Sequence, residues 1–133
     1  MKQNTISLLI VDDAAVMRRA IKGLLAQESS IEILGEAETF EQAISMATAL
    51  KPNVILLDLH MDDDFAYKPE FVKSHFSNCG SRVLAMSLSG GEDQESRILA
   101  EGFGAIAMLD KADLYEILIP TIRDISRSDH QAT

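Results

Sequence analysis

A doubly wound α/β sandwich, three layers deep around a five-stranded parallel sheet, is the fold this sequence predicts, and three observations carry the prediction. Short aliphatic runs alternate with stretches whose apolar residues recur every three or four positions, the pattern of strands alternating with helices. Most of the strand runs are apolar with little interruption, most plainly Val54-Ile55-Leu56-Leu57, as in strands covered on both faces. Four runs then stop at polar residues: Asp12-Asp13, Asp58, Ser87 and Asp110-Lys111. In parallel strands all of these converge on one edge of the sheet, the edge at which open α/β sheets bind ligands.

Taken in order, the first strand runs from Ile6 to Val11. The helix after it has Met17, Ala20, Ile21, Leu24 and Leu25 as its apolar stripe, Arg18, Arg19 and Lys22 largely on the other face, and Ser29 and Ser30 as an interruption. Ile31-Glu32-Ile33-Leu34-Gly35 alternates in part, as an edge strand does. Thr39 and Gln42 have capping-box spacing ahead of a helix with Ala43, Met46, Ala47 and Leu50, which Pro52 stops after about Lys51. Beyond Asp58, the segment from Asp62 to Lys68 reads as a polar loop, and Pro69 opens a short helix through about His75. Val83 to Met86 is the fourth strand. Ser89-Gly90-Gly91-Glu92 offers a second capping-box spacing before the helix of Ile98 and Leu99, which Gly102 and Gly104 break. Ala105 to Leu109 is the fifth strand. A last helix begins near Asp113, and Pro120 is expected to kink or restart it. The folded domain is expected over residues 1–126, with a flexible polar tail over 127–133.

With 133 residues the chain suits one domain, and at 47% apolar residues it can bury about two thirds of its unfolded surface. A net charge of -9 and a pI near 4.7 argue against direct binding to a nucleic-acid backbone. Cys79 is the one cysteine, which excludes an intrachain disulfide and points to a reducing compartment. No signal peptide or membrane-length run is evident, so a cytoplasmic location away from membranes is expected.

Three carboxylates gathered at one sheet edge repel one another unless a cation joins them. Mg²⁺ suits them, since it prefers oxygen ligands and commonly takes only one or two protein carboxylates with water or phosphate. Phosphoryl transfer then needs a nucleophilic oxygen, the metal, a cation and a hydroxyl donor. Asp58, the Asp12-Asp13 pair, Lys111 and Ser87 supply these parts.

The motifs Leu8-Leu9-Ile10-Val11-Asp12-Asp13, Val54 to Leu59 ending around Asp58, Val83 to Ser87, and Gly104 to Lys111 occur in the order and spacing of a known family. From about Ile6 to Ile125 the chain resembles the receiver domains of response regulators, the CheY-like family. The Ile33-Leu34-Gly35-Glu36-Ala37 segment further resembles receivers that precede helix-turn-helix output domains. The resemblance implies a flavodoxin-like strand order, 2-1-3-4-5, and a phospho-accepting role in two-component signal transduction. It implies that Asp58 takes a phosphoryl group from a sensor histidine kinase or a phosphotransfer protein. Asp13 and Asp12 would bind Mg²⁺ together with Asp58 and the backbone carbonyl of His60, while Lys111 and Ser87 would contact the phosphoryl group. Beyond self-phosphorylation and slow self-dephosphorylation no enzymatic activity is expected. The implied output is a downstream protein on the fourth helix, fifth strand and fifth helix, and a homodimer is compatible with it.

The chain departs from the family at several positions. Met108 replaces the usual Phe or Tyr three residues before the lysine, Met61-Asp62 replaces Met-Pro, Ala66 falls where glycine is expected, and Ala112 replaces a proline. Leu88, larger than the usual small residue, is expected to narrow access to Asp58. Read singly, Lys111 is an ordinary surface lysine, Asp12 and Asp13 are caps for the first helix, and Asp62 to Asp64 are a solvated loop. His60 lies where it could affect water access to an acyl phosphate. Three alternatives stand beside the relay or adaptor reading. They are the receiver portion of a DNA-binding regulator, a degenerate receiver that binds without phosphorylation, and a Mg²⁺-dependent phosphohydrolase, whose usual Asp-x-Asp is not matched by Asp12-Asp13-Ala14.

Overall fold

Strand β3, Val54–Asp58, is buried along its whole length, and the rest of the chain is layered about it. The computed structural model describes residues 5–61, 67–88 and 93–131. Within them β1 (Ile6–Val11), β2 (Ile31–Ala37), β3, β4 (Arg82–Ser87) and β5 (Ala105–Asp110) form one parallel sheet in the order β2-β1-β3-β4-β5. The helices are α1 (Ala15–Leu25), α2 (Phe40–Leu50), α3 (Pro69–Asn78), α4 (Gln94–Gly102) and α5 (Leu114–Gln131). Among the described residues no helix is long and apolar enough to cross a membrane.

The sheet divides the interior in two, as strand geometry requires when successive side chains point to opposite faces. Leu8, Ile10, Val54 and Leu56 pack with Ile21 and Leu25 of α1 and with Leu118 and Ile122 of α5. Leu9, Val11, Ile55 and Leu57 pack with Phe40, Ala43 and Ala47 of α2, Val72 and Phe76 of α3, and Ala100 of α4. Each fully buried aliphatic residue of β3 contributes about 1.5–3 kcal/mol on this account. Asn53 pins the far end of the β1–β3 pair: its Oδ1 accepts from Ser7 N at 2.8 Å, and its own N–H donates to Ser7 Oγ at 2.8 Å.

Several element boundaries differ from the sequence-based expectation. Strand β2 continues two residues further, to Ala37, and its register with β1 shifts where Leu8 opposes Ile33 but Leu9 opposes Gly35. Leu34 is therefore an extra, bulged residue. Of the Thr39–Gln42 box only one half forms: Thr39 Oγ1 accepts from Gln42 N at 3.1 Å, while the Gln42 side chain reaches Glu38 N at 2.9 Å instead of Thr39. Helix α2 closes before Pro52, at Lys51, whose left-handed φ of 49° lets its N–H bond to Ala47 O at 2.9 Å. Helix α3 reaches Asn78, past His75, and Gly80 at φ 75° turns the chain after it.

The capping-box spacing at Ser89 and Glu92 lies outside the described residues. The N-cap of α4 is Asp93, whose Oδ1 accepts from Ser96 N at 2.6 Å. Helix α5 neither restarts at Pro120 nor ends at Ser126; it runs as one helix to Gln131. Pro120 and Glu116, whose carbonyl loses its helical donor, both lie on the exposed side, where water can take that donor's place, while Leu118 and Ile122 anchor the opposite side in the core.

Candidate functional site

The carboxyl ends of β1 and β3 are adjacent because the order of the sheet reverses there, with β1 flanked by β2 on one side and β3 on the other. Asp12 follows β1 and Asp58 ends β3, and their carboxylates meet with that of Asp13 in a group whose ligand oxygens lie within 4.8 Å of one another. Asp12 is fully buried and Asp58 nearly so. The Lys111 ammonium, at the start of the 3-10 turn that follows β5, reaches across to both: its Nζ is 3.1 Å from Asp58 Oδ1 and 3.3 Å from Asp12 Oδ2. Ser87, the last residue of β4, is fully buried one position beyond Met86, the residue that opposes Asp58 in the sheet.

Asp12 does not stand at the N-cap of α1. Ala14 occupies the N-cap position without a side-chain bond, and Asp12 Oδ1 instead accepts from Ala14 N at 2.9 Å. The same closure, a carboxylate accepting the amide two residues on, recurs at the ends of β3 and β5. Asp58 Oδ1 accepts from His60 N at 3.1 Å and Asp110 Oδ1 from Ala112 N at 2.9 Å. These short Asx turns stop the strands and aim the carboxylates of Asp12 and Asp58 into the space between them.

Burial pushes the Asp12 carboxyl above its ordinary value; the Ala14 amide and the Lys111 ammonium act against this, and the Asp58 charge adds to it. Burial works the other way on Lys111, but Asp58 first and then Asp12 outweigh it and hold the ammonium above the ordinary lysine value. Asp12 Oδ2 is within ion-pair range of Nζ, yet among the described residues it accepts no hydrogen bond. A buried anionic oxygen without a hydrogen bond, beside two further carboxylates, is an oxygen-rich set suited to a hard divalent cation. Asp12, Asp13 and Asp58 can hold a metal ion.

Of the site residues expected from the sequence, Asp12, Asp13, Asp58 and Lys111 come together, and Ser87 lies at the end of the neighbouring strand. Two residues not expected from the sequence, Asp93 and Ser96 at the head of α4, stand beside the His60 ring. His60 Nε2 lies 3.2 Å from Ser96 Oγ, and that hydroxyl donates to Asp93 Oδ2 at 3.1 Å. A serine hydroxyl has one proton; given to Asp93, it leaves Ser96 Oγ to accept from His60 Nε2–H. The sequence signal was an aspartate three residues before Ser96 at the head of an amphipathic stretch. Of the departures, Met108 is half-buried against the α2–α4 side of the core, and Leu88 stands 77% exposed. Ala112 is joined by trans peptide bonds within the 3-10 turn. Asp62 to Asp64 and Ala66 lie outside the described residues.

Comparison with known proteins agrees with this arrangement. A family model for the response regulator receiver domain matches residues 8–118. Response regulator protein VraR of Staphylococcus aureus is 46% identical over 59 residues, 44% of this chain and 28% of that protein. The nitrate/nitrite response regulator protein NarL of Escherichia coli is 28% identical over 130 residues, 98% of this chain and 56% of that protein. The chain thus spans about half the length, or less, of these curated relatives. Among solved structures, the response regulator domain of Thermotoga maritima CheB superposes with a TM-score of 0.79 at 26% identity, covering 92% of this chain and 97% of that one. What four short motifs resembled is matched along most of the chain: this protein belongs to the response regulator receiver family, the phospho-accepting domains of two-component signalling.

Proposed function

We propose that Asp58 is the phosphoryl acceptor, that Asp12, Asp13 and Asp58 with the His60 backbone carbonyl hold Mg²⁺, and that Lys111 and Ser87 receive the phosphoryl oxygens. The observation that carries this reading is the Lys111 ammonium set between Asp58 and Asp12, beside a buried Asp12 oxygen that has no hydrogen bond. Bound Mg²⁺ would neutralise charge on the transferring group. The chain's own part is positional. The His60 amide and Lys111 both lie on Asp58 Oδ1 and so fix the carboxylate's rotation. An Asp58 oxygen attacks phosphorus, the P–N bond of a donor phosphohistidine breaks, and its electron pair leaves with the imidazole nitrogen. Lys111 and the Ser87 hydroxyl would meet the equatorial oxygens.

The donor is a sensor histidine kinase or a phosphotransfer protein. The output surface is the face of α4, β5 and α5, where Ile98, Ile106 and Tyr115 remain exposed at 62, 48 and 85%. Phosphorylation biases a pre-existing equilibrium by drawing Ser87 and Lys111 onto the new group and repacking the surface around Ile106 and Met108. The reading favours a relay or adaptor acting in a cytoplasmic setting. A second reading, the receiver portion of a DNA-binding regulator, is favoured by the NarL match, in which 56% of the relative is covered. A net charge of -9 assigns nucleic-acid contact in that case to a different part of the regulator.

The test is intact mass after incubation with Mg²⁺ and acetyl phosphate, alongside Asp58→Asn. Asparagine keeps the oxygen that closes the turn with His60 but is not a nucleophile. One added phosphoryl mass per chain, absent from the variant and in chelator, is expected; no labelling of the wild-type chain would point to a phosphorylation-independent module, and labelling of Asp58→Asn would overturn the site.

A further inference from the structure

The Gly35-Glu36-Ala37 segment at the end of β2 is not used by the chemistry above, yet it converges on the acidic loop. Its placement follows from the bulge at Leu34. Ile31 and Ile33 belong to the side of the core shared with α1 and α5, and simple alternation would put Ala37 there too and turn Glu36 away. The extra residue inverts the parity: Ala37 packs on the opposite side, and Glu36, now opposite Ile10, faces α1. There Glu36 Oε1 receives Arg18 Nε at 2.8 Å, and Oε2 receives the Lys22 ammonium at 2.5 Å. The hydrogen bonds from Lys22 and then Arg18 hold the Glu36 carboxyl below the usual carboxylate range, so the clamp is ionised at neutral pH.

Arg18 has a second contact. Its Nη1 donates to the backbone carbonyl of Asp12 at 2.7 Å, while the N–H of the same residue donates to Ala37 O at 3.0 Å. The backbone of Asp12 is therefore gripped at its amide by β2 and at its carbonyl by α1, and that carbonyl belongs to the peptide linking Asp12 to Asp13. The rotation of this peptide sets where the Asp13 carboxylate points relative to Asp12 and Asp58.

We infer that Arg18, aligned by Glu36, is a positioning residue for the divalent-cation site: it orients the Asp12–Asp13 peptide so that the carboxylates converge. The inference rests on the proposed Mg²⁺ reading of that cluster. A planar guanidinium can direct one N–H at a carboxylate and another at a carbonyl in fixed relative orientation, which an ammonium cannot do as rigidly. Partners of metal ligands that fix their orientation commonly alter metal affinity 10- to 100-fold when removed.

The experiment is Mg²⁺ titration by isothermal calorimetry of the wild-type chain, Arg18→Gln, Arg18→Lys and Glu36→Gln, with thermal melts to confirm folding. Electrostatics and positioning predict opposite signs. Removing a cation beside an acidic cluster tightens Mg²⁺ if Arg18 acts only through its charge; loss of positioning weakens it, and we expect Arg18→Gln to raise the Kd about tenfold or more. Glu36→Gln, which leaves Arg18 its carbonyl contact, weakens binding less. Arg18→Lys keeps the charge and the fold but not the fork, and binds more weakly than wild type. Wild-type affinity or tighter in Arg18→Gln overturns the inference while leaving the receiver reading standing, as does wild-type affinity in Arg18→Lys should Arg18→Gln not fold. A wild-type chain that takes up no Mg²⁺ overturns both.

Discussion

Replacing Lys111 with Met keeps the length and much of the apolar stem, which lines a cavity with Met17, Ile21 and Leu114, but removes the ammonium from between two buried carboxylates. At an effective dielectric constant of about 20, contacts of 3.1 and 3.3 Å are each worth about 5 kcal/mol of attraction. Across the 4.8 Å limit of the cluster, two carboxylates repel by about 3.5 kcal/mol. Releasing the ammonium to water returns several kcal/mol, and the net loss expected on removing one partner of a buried pair is about 3–5 kcal/mol. For a chain of this size that is a fall in Tm of roughly 10–20 °C. The sign with pH follows from the groups left behind. In the wild-type chain Lys111 is held above its ordinary value by Asp58 and Asp12, so while these carboxylates carry charge its contribution is lost only as pH rises through the folded lysine value. In the variant the Asp12 carboxyl, already raised by burial, loses the Lys111 attraction that opposes the rise, so the deficit is smaller near pH 4 than near pH 7.5. Urea denaturation in chelator at both pH values measures it. A deficit under about 1 kcal/mol at the higher pH, or an equal deficit at both, would refute an electrostatic role for Lys111 in the apo fold.

Two further outcomes follow from the same geometry. Because the Asp12 carboxyl is raised above 3.8, its stabilising contribution is full below that value and is lost as pH rises through the folded value. Melts with and without Mg²⁺ should therefore diverge above that window and coincide below it, and at 100-fold excess over Kd the cation should add about 2.7 kcal/mol at neutral pH. Ser96→Ala removes the buried hydroxyl between His60 and Asp93 and is expected to cost about 1 kcal/mol, or roughly 4 °C in a thermal melt; an unchanged Tm would show that exposed His60 and Asp93 are equally well served by water.

The strand-end residues were legible in the sequence because each closes an aliphatic run, and a parallel sheet has only one carboxyl edge to put them on. Asp12, Asp58 and Lys111 converge for that reason, and Ser87 ends the strand beside Asp58. The bulge at Leu34 was not legible: adding one residue to an aliphatic strand leaves its composition unaltered while inverting every side chain beyond it, so Glu36 passed for part of an edge strand. Capping was misjudged where local and tertiary donors compete. Asp12 Oδ1 accepts from Ala14 N, two residues on, and the Gln42 side chain accepts from the Glu38 amide instead of that of Thr39. Pro120 was overrated as a breaker because propensity ignores what lies opposite, here Leu118 and Ile122 fully buried in the core.

The Asx turns that end β1, β3 and β5 make side-chain length, more than charge, the property fixed at these positions. A carboxylate one methylene longer at position 58 would overshoot the His60 amide and press on the Lys111 ammonium, so glutamate, though it places negative charge further out as an acyl phosphate does, would undo the turn that a phosphorylated aspartate starts from. In this molecule charge mimicry and turn geometry cannot be had from the same substitution.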